Sequence, residues 1–146
     1  LLELPAGLLD IHAEDELDCA KRELQEEAGL AAEEWGVLVD LVTSPGFAEE
    51  AVRVFIARGL REVDRPEAED EEADMRLSWV GIDDAAGKAL AGEITNSIAV
   101  SGILAAAHLL ASGASPRSVD EPFRFRPASL ANRRSAQGIV PDMKRI

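Results

Sequence analysis

The sequence predicts an α/β protein in which helices cover both faces of a mixed β-sheet. A loop-helix-loop pattern over residues 7–30 is followed by short runs of β-branched and aromatic residues, and then by an apolar helical segment. Helix, strands and helix in this order fit an α/β/α sandwich. A chain of 146 residues can bury about two-thirds of its unfolded surface in one core, which predicts a single globular domain.

The first predicted helix begins after Asp15 and ends at Gly29. Aspartate is a favoured N-cap residue, and glycine supplies the left-handed conformation that commonly ends a helix. Apolar residues three and four apart form a stripe that predicts the buried face, namely Leu17, Ala20, Leu24 and Ala28. The acidic residues of this helix then point away from the core.

Three of these acidic residues, Glu23, Glu26 and Glu27, lie within about a 100° sector of the helix, because residues three and four apart share a face. We call them the carboxylate face. Like charges gathered in this way repel unless a cation lies among them, and hard carboxylate oxygens suit Mg²⁺ or Mn²⁺. A solvated acidic surface is the alternative, and charge and periodicity alone leave both interpretations open.

Strands and helices alternate farther along the chain. Runs of β-branched and aromatic residues bounded by Gly, Pro and Asp predict strands over residues 37–42, 51–57 and 77–82.

Two helices are predicted to follow, over residues 84–91 and 94–111. Gly113 is expected to stop the longer helix. The predicted buried positions of that helix include Ile94, Ile98, Leu104 and Leu109.

Charge is distributed unevenly along the chain. Residues 1–113 carry a net charge of −17 and residues 114–146 a net charge of +4, within a total of −13. The C-terminal part also contains four prolines and few periodic apolar residues. We therefore predict a domain at residues 1–113 and a Pro- and Arg-rich arm at residues 114–146 that is extended and partly disordered. Its arginines are available to pair with acidic residues of this chain or of a partner subunit.

Composition also argues against several classes of function. An acidic chain lacks the basic patches that attract nucleic acid or anionic membranes, and no apolar run reaches the roughly 18 residues of a membrane span. Cys19 is the single cysteine and cannot form an internal disulfide. With no signal peptide ahead of the helix, the cytoplasm is the expected location. Cys19 is expected to pack or to lie at the surface rather than to act as a nucleophile.

The spacing of residues 7–30 resembles the Nudix box, a glycine, a glutamate and then Arg-Glu-apolar-x-Glu-Glu-x-Gly-apolar. Nine positions match, at Gly7, Glu14, Arg22, Glu23, Leu24, Glu26, Glu27, Gly29 and Leu30. Six residues instead of the usual five separate the first two, which we assign to a longer loop at residues 10–13. The resemblance implies a Nudix-type α/β/α fold and a loop-helix-loop that binds the magnesium of a bound diphosphate.

A further resemblance concerns the substrate. Pro45 lies fifteen residues after Leu30, as in the ADP-ribose pyrophosphatase branch of the Nudix family, and residues 61–75 and 92–97 also look like that branch, especially its actinobacterial members. By composition alone, Ser-Pro-Gly between strands predicts only a turn. The resemblance implies ADP-ribose as substrate, AMP and ribose 5-phosphate as products, and substrate contacts from Leu8, Pro45, Gly46 and Phe47.

The same resemblance implies residue roles. Glu23 and Glu27 ligate the metal, Glu26 ligates it directly or through a second ion and counts as catalytic, and the Ala6 carbonyl completes the oxygen cage. Arg22 is expected to be structural. The acidic run at residues 67–74 would supply the general base on the attacking water, a role that falls on Glu72, with Glu71 second. As composition, that run reads as a solvated charge run.

Three alternatives to ADP-ribose hydrolysis remain at this point. One is a Nudix hydrolase of another nucleoside diphosphate derivative, such as a nucleotide sugar, and another is a sensor that binds ADP-ribose without turnover. The intact glutamates of the carboxylate face count against the sensor. The third is an acidic scaffold without a small ligand, for which the nine-position match would be an accident.

The resemblance also bears on assembly. Nudix domains ordinarily have strands ahead of the box, whereas six residues precede Gly7. We therefore expect that the N-terminal strands are missing from this chain. We also expect a homodimer in which that region and the arm cross to the other subunit.

Overall fold

The computed structural model describes residues 1–11, 13–66, 76–127, 132 and 136–138. Five elements follow one another along the chain, α1 (Glu16–Ala28), β1 (Leu30–Val42), β2 (Ala51–Glu62), α2 (Ile82–Leu90) and α3 (Ser97–Ser112). The predicted α/β class is confirmed. In the described residues the predicted mixed sheet is represented by one antiparallel pair, β1 and β2.

Helix α1 has the predicted ends. The Asp15 carboxylate accepts a hydrogen bond of 2.8 Å from the Leu17 N–H. Gly29 adopts a left-handed φ of 65°, from which its N–H reaches the Gln25 carbonyl at 2.9 Å. Both caps satisfy backbone groups that a helix end otherwise leaves without partners.

The buried face of α1 differs from the prediction. The apolar stripe is only half-buried, whereas Cys19 and Glu26 are the buried residues of this helix. The N-terminal loop explains the difference, because residues 6–8 lie against the carboxylate face and cover it. Periodicity identifies the apolar side of a helix but does not show that a loop closes over the polar side.

Strands β1 and β2 form a long hairpin. Their register runs from Leu30 opposite Glu62 to Val42 opposite Ala51, with a bulge after Val37, which is fully buried. The Trp35 ring contacts the Phe55 ring edge to face, with centroids 6.2 Å apart. The two strands contain the predicted segments 37–42 and 51–57 and extend beyond them.

The predicted strand at residues 77–82 is wrong. Residues 77–81 have no regular structure, and Ile82 begins α2. Leu77, Trp79 and Val80 are exposed. A strand needs a neighbour for its backbone N–H and C=O groups, and within the described residues the sheet consists of β1 and β2 alone. A favourable composition does not supply that neighbour.

Helices α2 and α3 form a pair close to the predicted positions. Helix α3 begins at Ser97 rather than at residue 94, because the Asn96 side chain caps it by accepting a hydrogen bond of 2.9 Å from the Ala99 N–H. Gly113, with a φ of 68°, ends the helix as predicted.

The buried residues of this helix pair are smaller than predicted. Ile94 is buried, as expected, but it precedes the helix, and Ile98, Leu104 and Leu109 are only half-buried. The buried residues of α3 are Ala99, Gly102 and Ile103.

The apolar core lies between α2, α3 and the N-terminal segment. Ala85, Ile94, Ala99 and Ile103 form its buried centre, and Leu4 packs against them. A Cβ atom at Gly102 would lie 3.0 Å from Leu4 Cδ1 and 3.1 Å from Val54 Cγ1. The glycine therefore lets α3 lie close to both β2 and the N-terminal segment.

The described part of the arm folds back on the hairpin. Arg117 and Val37 exchange two backbone hydrogen bonds, of 2.9 and 3.0 Å. The Arg117 side chain also pairs with Asp40 at 3.1 Å, so an arm arginine does contact an acidic residue of this chain. Phe123 is buried beneath the guanidinium of Arg53, 4.7 Å from the ring centroid. Of the arm that was predicted to be partly disordered, residues 128–131, 133–135 and 139–146 lie outside the described ranges.

No helix in the described ranges is long and apolar enough to cross a membrane. Of the two histidines, His108 lies exposed on α3, and His12 lies outside the described residues.

Candidate active site

Arg22 of α1 lies at the centre of a cluster of carboxylates. Its guanidinium binds both oxygens of Glu14, with Nε 2.9 Å from Oε1 and Nη2 3.1 Å from Oε2. Its Nη1 lies 2.5 Å from Glu23 Oε1 and 3.0 Å from Glu26 Oε2. One arginine therefore holds three glutamates of the sequence motif together. This contact pattern is the structural role that was expected of Arg22.

The N-terminal loop closes over this cluster. The Ala6 N–H donates a hydrogen bond of 3.0 Å to Glu27 Oε2, and the Cys19 thiol lies 3.6 Å from the Leu8 carbonyl oxygen. Between these contacts, a Cβ atom at Gly7 would overlap the carboxylate of Glu23. Only glycine therefore fits here while Glu23 keeps its position.

Burial and charge determine the ionisation of the cluster. Burial raises the pKa of Glu23, an effect that the hydrogen bond from Arg22 opposes. The hydrogen bond to Glu14 is the main reason that the pKa of Arg22 lies above its ordinary range. Burial, reinforced by Glu14, raises the pKa of Cys19 to about 12. The thiol is therefore protonated at neutral pH, which agrees with the expectation that Cys19 packs rather than attacks substrate.

The donor set suits a hard divalent cation. Four glutamates and a backbone carbonyl are oxygen ligands of the kind that Mg²⁺ prefers. In the described residues, no three acidic, histidine or cysteine side chains converge as they stand on one metal position. The reason is visible in the cluster, where Glu14, Glu23 and Glu26 direct oxygens to Arg22. The chemistry of the residues fits a cation, and the side chains must turn toward it.

The loop between β1 and β2 contains the predicted substrate contacts. The Ser44 carbonyl accepts hydrogen bonds of 2.9 Å from the N–H groups of Phe47 and Ala48, which fixes a tight turn around Pro45 and Gly46. This loop forms one side of an open cleft of about 670 Å³, and residues 124–126 of the arm line it as well. We call it the hairpin cleft. Leu8 is 63% exposed and is not among the residues that line it.

Arg126 connects the hairpin cleft to the carboxylate cluster. It lines the cleft, and its Nη2 donates a hydrogen bond of 2.5 Å to the Glu14 carbonyl, while Nη1 lies 3.4 Å from Glu16 Oε1. The Glu14 side chain in turn binds Arg22. The predicted substrate loop and the predicted metal helix therefore meet across one arm residue. Sequence reasoning did not identify this residue, although the reversed charge of the arm was a signal.

The proposed general base lies outside the described residues, as does Glu71. The segment that leads to Glu72 is nevertheless anchored on α1. The Arg65 Nε donates a hydrogen bond of 2.6 Å to the Glu26 carbonyl, and the Gln25 side chain binds the Asp64 carbonyl at 3.0 Å. Asp64 and Arg65, which precede the acidic run in the sequence, thus lie at the C-terminal end of α1.

Residues 1–98 match the family described as the NUDIX domain. The chain belongs to the Nudix family. Its members generally require divalent metal ions, which agrees with the oxygen-rich donor set around Arg22.

The chain is also similar in sequence to three curated proteins. An ADP-ribose pyrophosphatase of Mycobacterium tuberculosis is 53% identical over 135 residues, which are 92% of this chain and 65% of the relative. A methanol dehydrogenase activator of Bacillus methanolicus is 36% identical and an ADP-ribose pyrophosphatase of Bacillus subtilis 38% identical, each over 58% of this chain and 45% of the relative. The chain therefore spans less than two-thirds of the length of these relatives.

Proposed function

We propose that this Nudix protein hydrolyses the diphosphate linkage of ADP-ribose to AMP and ribose 5-phosphate. The observation that carries the proposal is the cluster in which Arg22 gathers Glu14, Glu23 and Glu26 beneath a glycine loop. It supports the proposal because it occurs in a chain 53% identical to an ADP-ribose pyrophosphatase. An Arg-linked carboxylate group has no evident use in a protein that only serves as an acidic scaffold.

The metal site of this proposal uses residues that lie side by side in the fold. Glu23, Glu27 and Glu26 hold Mg²⁺ or Mn²⁺ together with the backbone carbonyl of Ala6. The N–H of Ala6 already donates a hydrogen bond to the Glu27 carboxylate. A bound ion supplies charge neutralisation of the diphosphate and lowers the pKa of coordinated water. Arg22 keeps the carboxylates within reach, and Gly7 lets the loop lie directly over Glu23.

The general base of this proposal is Glu72. Its carboxylate takes a proton from the attacking water as the new phosphorus–oxygen bond forms and the bridging oxygen leaves with the other phosphate. Glu72 follows Arg65 by seven positions, and Arg65 is held at the Glu26 carbonyl. An extended segment of that length covers at most about 25 Å. The anchored start of this segment supports the assignment, since a base on a loop is able to close over a bound substrate.

Substrate binding is proposed for Leu8, Pro45, Gly46 and Phe47. The support for the last three is their place in the hairpin cleft, which Arg126 joins to Glu14. Leu8 is supported by two other observations. Its carbonyl contacts the thiol of Cys19 on α1, and its side chain is exposed.

The decisive experiment is incubation of the full-length protein with Mg²⁺ and a panel of diphosphate-linked nucleosides, followed by product identification. Fastest release of AMP and ribose 5-phosphate from ADP-ribose is the expected result. A clear preference for a nucleotide sugar would replace ADP-ribose as the substrate. Tight ADP-ribose binding without products, in the presence of Mg²⁺ or Mn²⁺, would show a sensor and overturn the proposal.

Assembly, location and domain limits are further parts of the proposal. The domain covers residues 1–113, followed by the arm, and the protein acts in the cytoplasm as a homodimer without nucleic acid or membrane partners. The net charge of −13 supports the lack of such partners, and the exposed Leu77 and Trp79 support a subunit contact. Light scattering on the full-length protein tests the dimer, which a fully active monomer at micromolar concentration would contradict.

A further inference from the structure

The hairpin cleft contains two aromatic rings from distant parts of the chain. Phe47 of the β1–β2 loop is 93% exposed and Phe125 of the arm is 65% exposed, and both line the cleft. Ligand sites are typically lined by aromatic side chains with a few polar groups among them. A large exposed ring on each of two cleft segments is suited to a flat ligand such as a nucleobase.

A positive charge lies next to Phe125. Arg124 is exposed in the cleft and forms no ion pair or hydrogen bond with any other residue that the structure describes. Arg117 and Arg126 of the same arm are both engaged with acidic residues. In a chain of net charge −13, an arginine that pairs with none of the described carboxylates is suited to binding an anionic ligand, and its planar group matches a phosphate.

The position of this arm segment is fixed from both sides. Phe123 is buried under Arg53, whose guanidinium also binds the carbonyls of Glu121 and Pro122 at 2.6 and 3.2 Å. Arg126 is tied to Glu14 and Glu16. Arg124 and Phe125 therefore lie between two anchored residues, and the second anchor lies at the carboxylate cluster. A ligand in the cleft therefore lies beside Arg126, which contacts Glu14, the residue whose side chain binds Arg22.

We propose that Arg124 and Phe125 are specificity-determining residues that bind the nucleoside monophosphate half of the substrate. Phe125, together with Phe47, stacks on the base, and Arg124 binds a phosphate oxygen. The inference rests on the proposed function and adds to it a second side of the substrate site, built by the arm. The half of the substrate that becomes AMP lies in the hairpin cleft, and the other phosphate faces the carboxylates.

Equilibrium binding separates the two contacts without turnover. The affinities of the full-length protein for AMP and for adenosine are measured by calorimetry for wild type, Arg124→Gln, Arg124→Lys and Phe125→Ala. Arg124→Gln should weaken AMP binding by about tenfold, because a charge-assisted hydrogen bond is about twice as strong as a neutral one, and should leave adenosine binding unchanged. Arg124→Lys should restore part of the loss. Phe125→Ala should weaken both ligands by about tenfold, the scale of one base–aromatic stack.

Arg61→Gln is the matched control, because it removes the same charge from an exposed position of β2 outside the cleft. Unchanged AMP affinity in both Arg124→Gln and Phe125→Ala would overturn the inference, as would equal losses in Arg124→Gln and Arg61→Gln. A wild-type protein that binds no AMP at millimolar concentration would overturn it as well.

Kinetics distinguish this inference from the proposed function. With ADP-ribose, Arg124→Gln should raise KM by about tenfold with little change in kcat, since the contact is lost from bound substrate and transition state alike. If wild type hydrolyses ADP-ribose and the arm variants share its KM, the arm assignment fails while the proposed function stands. If wild type releases no AMP from ADP-ribose, the proposed function itself fails.

Discussion

Arg53 and Asp40 are cross-strand partners in the hairpin and form a two-pronged ion pair, with Nε 2.8 Å from Oδ1 and Nη2 3.0 Å from Oδ2. The Arg53 side chain is only 3% exposed. Asp40 also accepts a hydrogen bond from Arg117 of the arm. This pair therefore joins the two strands to the arm, and the loss of Asp40 leaves the charge of Arg53 with little access to water.

Asp40→Asn should lower the free energy of unfolding by about 2–3 kcal/mol at pH 7, since Arg53 would stay buried without its counter-charge. The hydrogen bonds from Arg53 hold the pKa of Asp40 below its usual value. An unfolded Asp titrates near about 3.9. The stabilisation is therefore complete above that pH and is lost as the pH falls through the folded-state pKa.

Denaturant unfolding of wild type and Asp40→Asn at pH 7 and at pH 3 measures this effect. The difference between the two proteins should shrink at the lower pH. Asp64→Asn is the control, because Asp64 is exposed, and it should change little at either pH. A difference of the same size at both pH values would show that the pairing charge is not the cause.

Replacing Glu23 or Glu27 with Gln should reduce turnover by at least about 100-fold at limiting Mg²⁺, because a neutral amide is a poor ligand for a hard cation. The fold should remain intact, since an amide oxygen is still able to accept the hydrogen bonds from Arg22 and Ala6. Without metal, Tm should stay nearly constant or rise, because one of several like charges has been removed.

Steady-state kinetics against Mg²⁺ concentration and thermal unfolding without Mg²⁺ provide these values. Glu34→Gln removes an equal charge from an exposed position on β1 and should be almost silent. Near-normal activity of both helix variants at limiting Mg²⁺ would remove Glu23 and Glu27 from the metal site.

Gly7→Ala should reduce kcat by about tenfold or more while costing only about 1 kcal/mol of stability. The new methyl group would overlap the Glu23 carboxylate, which has to move away from Arg22 to make room. A flexible side chain can move its end at little cost in stability. In Glu23, however, that end is the carboxylate proposed to ligate the metal.

Gly87→Ala is the matched substitution, in open space within α2, where it should hold or raise stability without affecting turnover. Paired kcat and Tm measurements on the two alanine variants make the test. Normal kcat in Gly7→Ala would mean that the placement of Glu23 tolerates a shift.

Glu72→Gln should lower kcat by 10²–10⁴-fold, a typical range for general-base catalysis, with little change in the binding of Mg²⁺ or ADP-ribose. Glu69→Gln and Asp70→Asn remove the same charge from the same run and should cost little. Kinetics and binding isotherms on all three variants provide the comparison. A loss below about tenfold at Glu72, or equal losses at all three positions, would move the search for the base to Glu71 or Asp74.

The features predicted correctly from sequence are those with local causes. Asp15 and Gly29 bound α1 because capping depends on the residue at the helix end. The nine-position match singled out Arg22 and its glutamates, and the structure brings Glu14, Glu23 and Glu26 to that arginine. The pairing pattern itself was not predicted, because Glu14 precedes the helix and the path of the loop decides where its side chain points.

Features with long-range causes were missed or misplaced. The strand at residues 77–82 was predicted from composition, but a strand also needs a neighbour, and composition carries no information about one. The hairpin extends beyond both predicted strands, because residues without alternating apolar side chains are held in the strands by cross-strand pairing. Glu34 and Arg58 are one such pair. The contact of Arg126 with Glu14 joins residues 112 positions apart, which no local pattern indicates.

The contacts between the arm and the hairpin form late during synthesis of the protein. Arg117 and Arg126 leave the ribosome long after their partners, since they follow Asp40 and Glu14 by 77 and 112 positions. Contacts between residues so far apart form late, because a long loop has to close first. During synthesis α1 and the hairpin therefore exist for a time with Asp40 and Glu14 still uncovered by the arm, and the hairpin cleft is complete only after residues 124–126 have been made.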